Sequence, residues 1–428
     1  MGARPRRFDT VKTTLRAFRS RNYRLFFAGQ GISLIGTWMQ RVAVSWLVYR
    51  LTGSAFLLGA VSFCSLIPTF LLGPVAGVWV DRVSKRSLLI LLQVLFMLQA
   101  LMLAALVLSG LVETWQIIGL SLLLGSVNAF DVPARQSFVV EMVERKEDLP
   151  NAISINSMMF NGARLIGPPL AGALIAMVGE GVCFLLNGAS FIAVIAGLCA
   201  MKMSHQVPKP SGESVWQQMR TGIAYAFGHR PIRTLLVMCA VISLIGMPYA
   251  VLTPIFAKDI LRGGSHTLGL LMGAAGCGAL TGGLFLASRR SVRGYGKLVC
   301  AAGAVLGISL IAFALSRSLW LSLLTLYCTG GGIMMISVAS NSIIQTVVDD
   351  DKRGRVMSLF SMAIMGMAPF GSILGGTAAQ YIGAPRTLMI CGGICLAATI
   401  VYTRQLRDML SALHDIYVEK GILPQAQA

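Results

Sequence analysis

Residues 77–86 read Gly77-Val78-Trp79-Val80-Asp81-Arg82-Val83-Ser84-Lys85-Arg86. One acid and three bases fill a stretch too short to fold alone. Apolar runs flank it, roughly 54–79 and 87–109. Each is long enough to cross the hydrocarbon layer as a helix, which takes about 20 residues. A tight charged turn between two such runs marks a membrane hairpin, because lipid tolerates only structures that satisfy their own backbone hydrogen bonds. The whole chain agrees. Of its 428 residues, 55% are hydrophobic and 12% charged, and mean hydropathy is +0.73. A soluble domain carries about 25% charged residues. This chain cannot clothe itself in polar surface, which argues against a soluble enzyme, a disordered protein and a disulfide-built secreted domain.

Outward from this hairpin, twelve spans can be placed, roughly 25–49, 54–79, 87–109, 115–138, 152–178, 181–201, 233–257, 267–288, 297–316, 319–343, 356–381 and 386–403. An even number puts both termini on one side. The net charge of +19, from 36 Lys and Arg against 17 Asp and Glu, then sets the orientation. With the N-terminus inside, the outer loops hold only Arg50, Lys258, Arg262, Arg317 and Arg386, while the inner segments hold 29 basic residues. Basic residues accumulate on the cytoplasmic side, so both termini are expected there. The bases form short clusters between spans rather than a continuous face, which argues against nucleic-acid binding. Trp115 and Trp320 open the fourth and tenth spans, as interfacial aromatics do.

The predicted fold is an all-α membrane protein of twelve transmembrane helices in two pseudo-symmetric six-helix bundles. A basic N-terminus (1–24) precedes the first bundle (25–201). A central loop (202–232), the second bundle (233–404) and a C-terminal tail (405–428) follow. The loop should hold an amphipathic helix with Trp216, Met219, Ile223 and Phe227 on one face. Repetition between the halves is visible at an offset of 204 residues: Ser154, Ser157, Gly162, Gly167 and Gly172 fall on Ser358, Ser361, Gly366, Gly371 and Gly376. Two such bundles can rock about a site at their interface.

Arg164 lies near the middle of the fifth span, where an ionised group is expensive and usually functional. Ser154, Ser157, Asn161 and Arg164 form one stripe at spacings of three, four and three, expected to face a water-filled cavity. Arg164 needs an anion, and Asp131 is the only acid within a span interior. Asp131 also has Arg135 at i+4, and Arg41 is a third buried cation. The carboxylate could exchange a proton as the cavity alternates between wet and dry, or sit in a permanent ion pair with Arg135 or Arg164. Gln30, Gln40, Asn128, Asn156, Asn187, Asn341 and Gln345 could bind substrate or join helices. Tyr249, Phe256, Met334, Met335, Met362, Met365 and Met367 suit a loose apolar cavity. Pro133 and Pro168 should bend their helices, and Gly162, Gly167, Gly172, Gly371, Gly375 and Gly376 should permit close packing. The nine cysteines lie in apolar runs and the four histidines do not cluster. No metal, cofactor or catalytic constellation is expected, and no phosphate-binding loop supports ATP use.

The charged turn at Gly77, Asp81, Arg82, Lys85 and Arg86 resembles the signature G-x-x-x-D-[RK]-x-G-[RK]-[RK] of the major facilitator superfamily, with Ser84 at the second glycine. Gly162 to Gly172 looks like that superfamily's exporter motif G-P-x-x-G-G, with Ala171 at one glycine. Further segments resemble the enterobactin-exporter and macrolide-efflux branch: Phe18-Arg19-Ser20-Arg21-Asn22-Tyr23-Arg24-Leu25-Phe26, Asn128 to Gln136, and Arg353 to Ser358. The resemblance implies a bacterial inner-membrane monomer exporting small hydrophobic or amphipathic molecules by alternating access, with protons as the coupling ion. A siderophore, lysophospholipid or metabolite exporter without proton coupling is the alternative. It also implies that Asp81 and its basic neighbours latch the halves together near Arg355 to Ser358. Two departures stand out: no acid occurs in the first span, and Ser121 and Leu124 replace the Arg and Gln of the fourth-span R-x-x-Q-G.

Overall fold

The computed structural model describes residues 16–80, 82–143, 145–201, 223–289, 291–349 and 352–419. Twelve long helices run through them: α1 Arg21–Thr52, α2 Ala55–Val80, α3 Lys85–Leu108, α4 Thr114–Met142, α5 Leu149–Val178, α6 Glu180–Ala200, α7 Arg230–Ile260, α8 Ser265–Ala287, α9 Tyr295–Leu315, α10 Leu319–Val347, α11 Arg353–Ile382 and α12 Ala384–Glu419. No strand occurs among the described residues. Ten of the twelve are long and apolar enough to cross a membrane by composition. The exceptions, α1 and α5, were expected as ordinary spans. They are long enough, but they carry Gln30, Gln40 and Arg41 on one and Asn151, Asn156, Asn161 and Arg164 on the other. Their polarity belongs to what they face inside the protein.

Local chemistry sets the helix ends. Ser20 caps α1 by accepting from the Tyr23 N–H, while its hydroxyl donates to the Met142 carbonyl at 2.8 Å. The Tyr23 hydroxyl donates to the Ala152 carbonyl at 2.9 Å. Together they pin the start of α1 to the end of α4 and the start of α5. Ser84 stands where the signature loop has glycine, and it caps α3 by accepting from the Ser87 N–H. Gly179 and Gly383 end α5 and α11 with φ of +82° and +85°, a region open to glycine. Each donates its N–H four residues back, to Ile175 and Ala379, at 3.0 Å. The 204-residue repeat thus extends into the turns.

Two helices carry wide turns. In α7 these are Ile242–Gly246 and Phe256–Ile260; in α11 it is Met362–Gly366. Pro248 and Pro369 follow the first and last closely. A proline ring clashes with the carbonyl four residues back, and a widened turn relieves that clash. The two widened turns meet, where Ser243 donates its hydroxyl to the Ile364 carbonyl.

Within each half the same pairs pack: α2 on α4 and α8 on α10, α3 on α6 and α9 on α12, α3 on α4 and α9 on α10. Between the halves the main contacts are α5 on α8 and α2 on α11. Of the central loop, residues 223–228 are helical, and Ile223 and Phe227 are exposed. Trp216 and Met219 lie outside the described residues.

Candidate functional site

The two seams between the halves are glycine crossings related by the repeat. A Cβ on Gly172 of α5 would stand 2.6 Å from the Ser265 carbonyl oxygen and 3.0 Å from the Gly269 Cα of α8. A Cβ on Gly376 of α11 would stand 2.7 Å from the Ala55 oxygen and 2.8 Å from the Gly59 Cα of α2. Only hydrogen fits at either crossing. Ser265 donates to the Gly172 carbonyl at 3.0 Å, and Ser54 donates to Gln380 at 3.1 Å. At the same face Tyr49, near the end of α1, donates to Asp259 at the end of α7, and Lys258 lies 5.3 Å from the Tyr49 ring centroid. This face, which holds the α1–α2 turn, is closed. Farther along α5 the contact is lost: a Cβ on Gly162 would meet nothing within 4 Å, and Ser154 and Ser157 are exposed. On α11 Met365, the repeat partner of Asn161, is 65% exposed. The space between the halves therefore opens toward the face that carries the start of α1.

Above the closed seam sits a cationic cluster. The Arg41 guanidinium lies 4.7 Å, and that of Arg164 5.7 Å, from the centroid of the Trp38 ring. Phe160 meets Trp38 edge-on at 5.8 Å. Gly167 makes this possible, because a Cβ there would stand 2.5 Å from the Trp38 Cβ, so α1 and α5 touch where Trp38 emerges. The Arg164 carbonyl is pressed against Gly276 of α8, which puts the cluster at the seam between the halves. Arg41 is exposed and Arg164 half-buried. Neither makes an ion pair among the described residues. Asn161 completes the stripe, donating to the Ser157 carbonyl at 2.9 Å.

Asp131 is elsewhere. Its carboxylate is fully buried and paired with Arg135, the i+4 candidate, and accepts from Gln93 Nε2 at 3.0 Å. The expected alternative, an Asp131–Arg164 pair, does not form. The α-helix delivers Arg135 to the same face one turn on, whereas Arg164 points to the seam. The Arg135 side chain is 21% exposed, so the pair reaches water on one side only. Gln30 and Gln40, candidates for the cavity, are buried in the first bundle instead. Gln40 donates to Gln99 at 2.9 Å and accepts from Asn187 at 2.6 Å, joining α1, α3 and α6. A buried amide satisfied on both sides is helix glue.

The charged turn is engaged within its own half. Lys85 pairs with Glu141 of α4. Arg86 donates to the Leu198 and Cys199 carbonyls at 2.8 and 2.7 Å, capping the C-terminus of α6. Arg82 is exposed, and a Cβ on Gly77 would meet nothing within 4 Å. Asp81 lies outside the described residues, as does Arg290 of the matching turn in the second half. Of the other candidates, Asn128 donates to its own helix at Leu124, Asn341 accepts from Gln345 at 2.8 Å, and Tyr249 is buried in α7. Pro133 and Pro168 lie inside continuous α4 and α5. Gly371 and Gly375 face Leu244 and Pro248 of α7 within the second half, not the partner half. Among the described residues no three His, Cys, Asp or Glu side chains converge on a metal-sized site. Sequence reasoning missed Trp38, Phe160, Gln93, Gln99 and the Tyr49–Asp259 clasp. The spacing of Trp38 and Arg41, three apart on a helix, was the one available signal.

Two repeated six-helix bundles, closed at one face by glycine crossings and open at the other around a polar stripe, define a major-facilitator-type membrane transporter. A family model described as transmembrane secretion effector matches residues 12–417. The chain belongs to that family, and it is a multi-pass membrane transporter of the efflux type. It is 26% identical over 379 residues to a staphyloferrin A transporter of Staphylococcus aureus, covering 88% of this chain and 94% of that one. It is 25% identical over 399 residues to macrolide efflux protein A of Streptococcus pyogenes, covering 89% and 96%. In fold it resembles a bacterial homologue of the iron transporter ferroportin, with a TM-score of 0.67 at 20% identity, covering 91% of this chain and 98% of that one.

Proposed function

We propose that the chain exports small hydrophobic or amphipathic molecules across a bacterial plasma membrane by alternating access, as a monomer with both termini in the cytoplasm, driven by inward proton flow. The observation that carries this is the contrast between the two ends of α5. Gly172 is locked against α8, and Gly162 has nothing within 4 Å. With the basic residues inside, the open face is cytoplasmic, so cargo enters from the cytoplasm and leaves when the glycine crossings part. Similarity to a staphyloferrin A transporter and a macrolide efflux protein supports small organic cargo.

Asp131 is the coupling group in this scheme. A proton taken up by Asp131 neutralises the carboxylate and dissolves its pair with the partly exposed Arg135. That changes the charge held inside the first bundle by one unit and so biases the halves between their two arrangements. The test is reconstitution in proteoliposomes with an imposed proton gradient and a fluorescent amphipathic dye. Asp131→Asn should abolish gradient-driven dye movement while dye–dye exchange continues. Gradient-driven movement at the normal rate in Asp131→Asn would remove Asp131 from coupling. A second reading, export without proton coupling, is favoured by the complete set of partners that Asp131 already holds in Arg135 and Gln93. In that case dye movement would ignore the gradient in the unmodified protein as well.

A further inference from the structure

Arg41 and Arg164 bracket one aromatic ring, and among the described residues no acid balances them. The chain's own carboxylates cannot fill the gap. Of 17 acidic residues only Asp131 lies deep within a helix of the first bundle, and it is committed to Arg135 and Gln93. Two guanidinium groups beside one indole repel each other, and the ring face recovers only part of the cost. Neither donates a hydrogen bond to another described residue, although each carries five N–H groups. The neighbouring helix makes room for the arrangement: Gly167 admits Trp38, and Phe160 braces it. Such a cluster has uncommitted N–H donors to offer an anion.

We propose that Arg41, Arg164 and Trp38 form the head-group subsite for the cargo, and that the cargo is an organic anion: a carboxylate-bearing molecule with an apolar or aromatic body. This rests on the export reading and narrows it. The guanidinium forks take the carboxylate oxygens. Trp38 and Phe160, which meet edge-on, take the adjoining apolar part. The same charges turn away cationic amphipaths, so selection between anionic and cationic drugs of equal hydrophobicity is built into the first bundle.

The experiment uses two dyes with the same xanthene body, carboxyfluorescein (anionic) and rhodamine (cationic), on the full chain in nanodiscs. Fluorescence anisotropy should show carboxyfluorescein binding and rhodamine binding at least tenfold more weakly. Arg41→Gln and Arg164→Gln should each weaken carboxyfluorescein at least tenfold, while Arg41→Lys and Arg164→Lys keep a larger share of the affinity. Because neither arginine makes an ion pair or hydrogen bond among the described residues, the Gln variants should unfold at the same temperature or higher. An arginine with only a structural role would lower it. Equal binding of both dyes, binding of neither, or carboxyfluorescein affinity untouched by both Gln variants would overturn the proposal. Dye movement in proteoliposomes keeps the two readings apart. Rhodamine transport unaffected by the Gln variants would sink the anion subsite and leave export standing. Carboxyfluorescein bound tightly but never moved would do the reverse.

Discussion

Alanine at Gly172 is the sharpest probe of how the two halves meet. Its Cβ would stand 2.6 Å from the Ser265 oxygen and 3.0 Å from the Gly269 Cα, both main-chain atoms that cannot turn aside. Carbon contacts settle at about 3.5–4.0 Å, so the α5 and α8 axes must part by roughly an ångström. Overpacking of this kind costs about 1–3 kcal/mol, and parting the helices also stretches the hydrogen bond from Ser265 to the Gly172 carbonyl. In the proposed alternating-access scheme the cost falls on the outward-closed arrangement alone. It should therefore shift the balance toward the outward-open one by a factor of about 5–150. A cysteine at Thr267, which is 3% exposed beside this crossing, reports the shift through its reaction with a membrane-impermeant maleimide, after subtraction of labelling at the native cysteines. Gly162→Ala is the matched control. It meets nothing within 4 Å and should leave labelling unchanged, with a small gain in helix stability of up to about 1 kcal/mol. Equal labelling of Gly172→Ala and Gly162→Ala would refute the idea that this crossing holds the outer face shut.

Two further outcomes follow from partners already named. Asp131→Ala strands Arg135 inside the first bundle and should cost about 3–5 kcal/mol, read as a fall in unfolding temperature; Asp131→Ala combined with Arg135→Leu should recover most of it. Tyr49→Phe deletes the clasp to Asp259 and should weaken the closed face by about 1.5–3 kcal/mol, raising maleimide labelling of the Thr267→Cys reporter while leaving the unfolding temperature nearly unchanged.

Much of this architecture was legible in the sequence because membrane helices announce themselves by length and hydropathy, and because the repeat aligns small residues in α5 and α11. The same logic failed where rotation about a helix axis decides the outcome. Arg164 and Asp131 sit at comparable depth, so depth alone suggested a pair. The structure turns Asp131 into its own bundle, toward Gln93 and Arg135, and turns Arg164 to the seam. Gln40 misled for the same reason. Its partners Gln99 and Asn187 lie on α3 and α6, and no local spacing links three helices so far apart in the chain. The glycines read as one class also divide in space. Gly172 and Gly376 meet the other half, Gly371 and Gly375 meet α7, and Gly162 meets nothing. Ser84 is the converse case: a departure from the signature becomes intelligible once it is seen capping α3.

Backbone pressed on backbone at Gly172–Gly269 and Gly59–Gly376 leaves no room for a file of water molecules at either crossing. A transporter standing in an energised membrane must not short-circuit the voltage while it waits for cargo. Side chains would fill such a junction unevenly and flicker between rotamers, whereas two bare ribbons of main chain give a gasket with no moving parts. The electrical tightness of the resting protein would then depend on four hydrogen atoms, the ones that stand where four Cβ atoms would otherwise be.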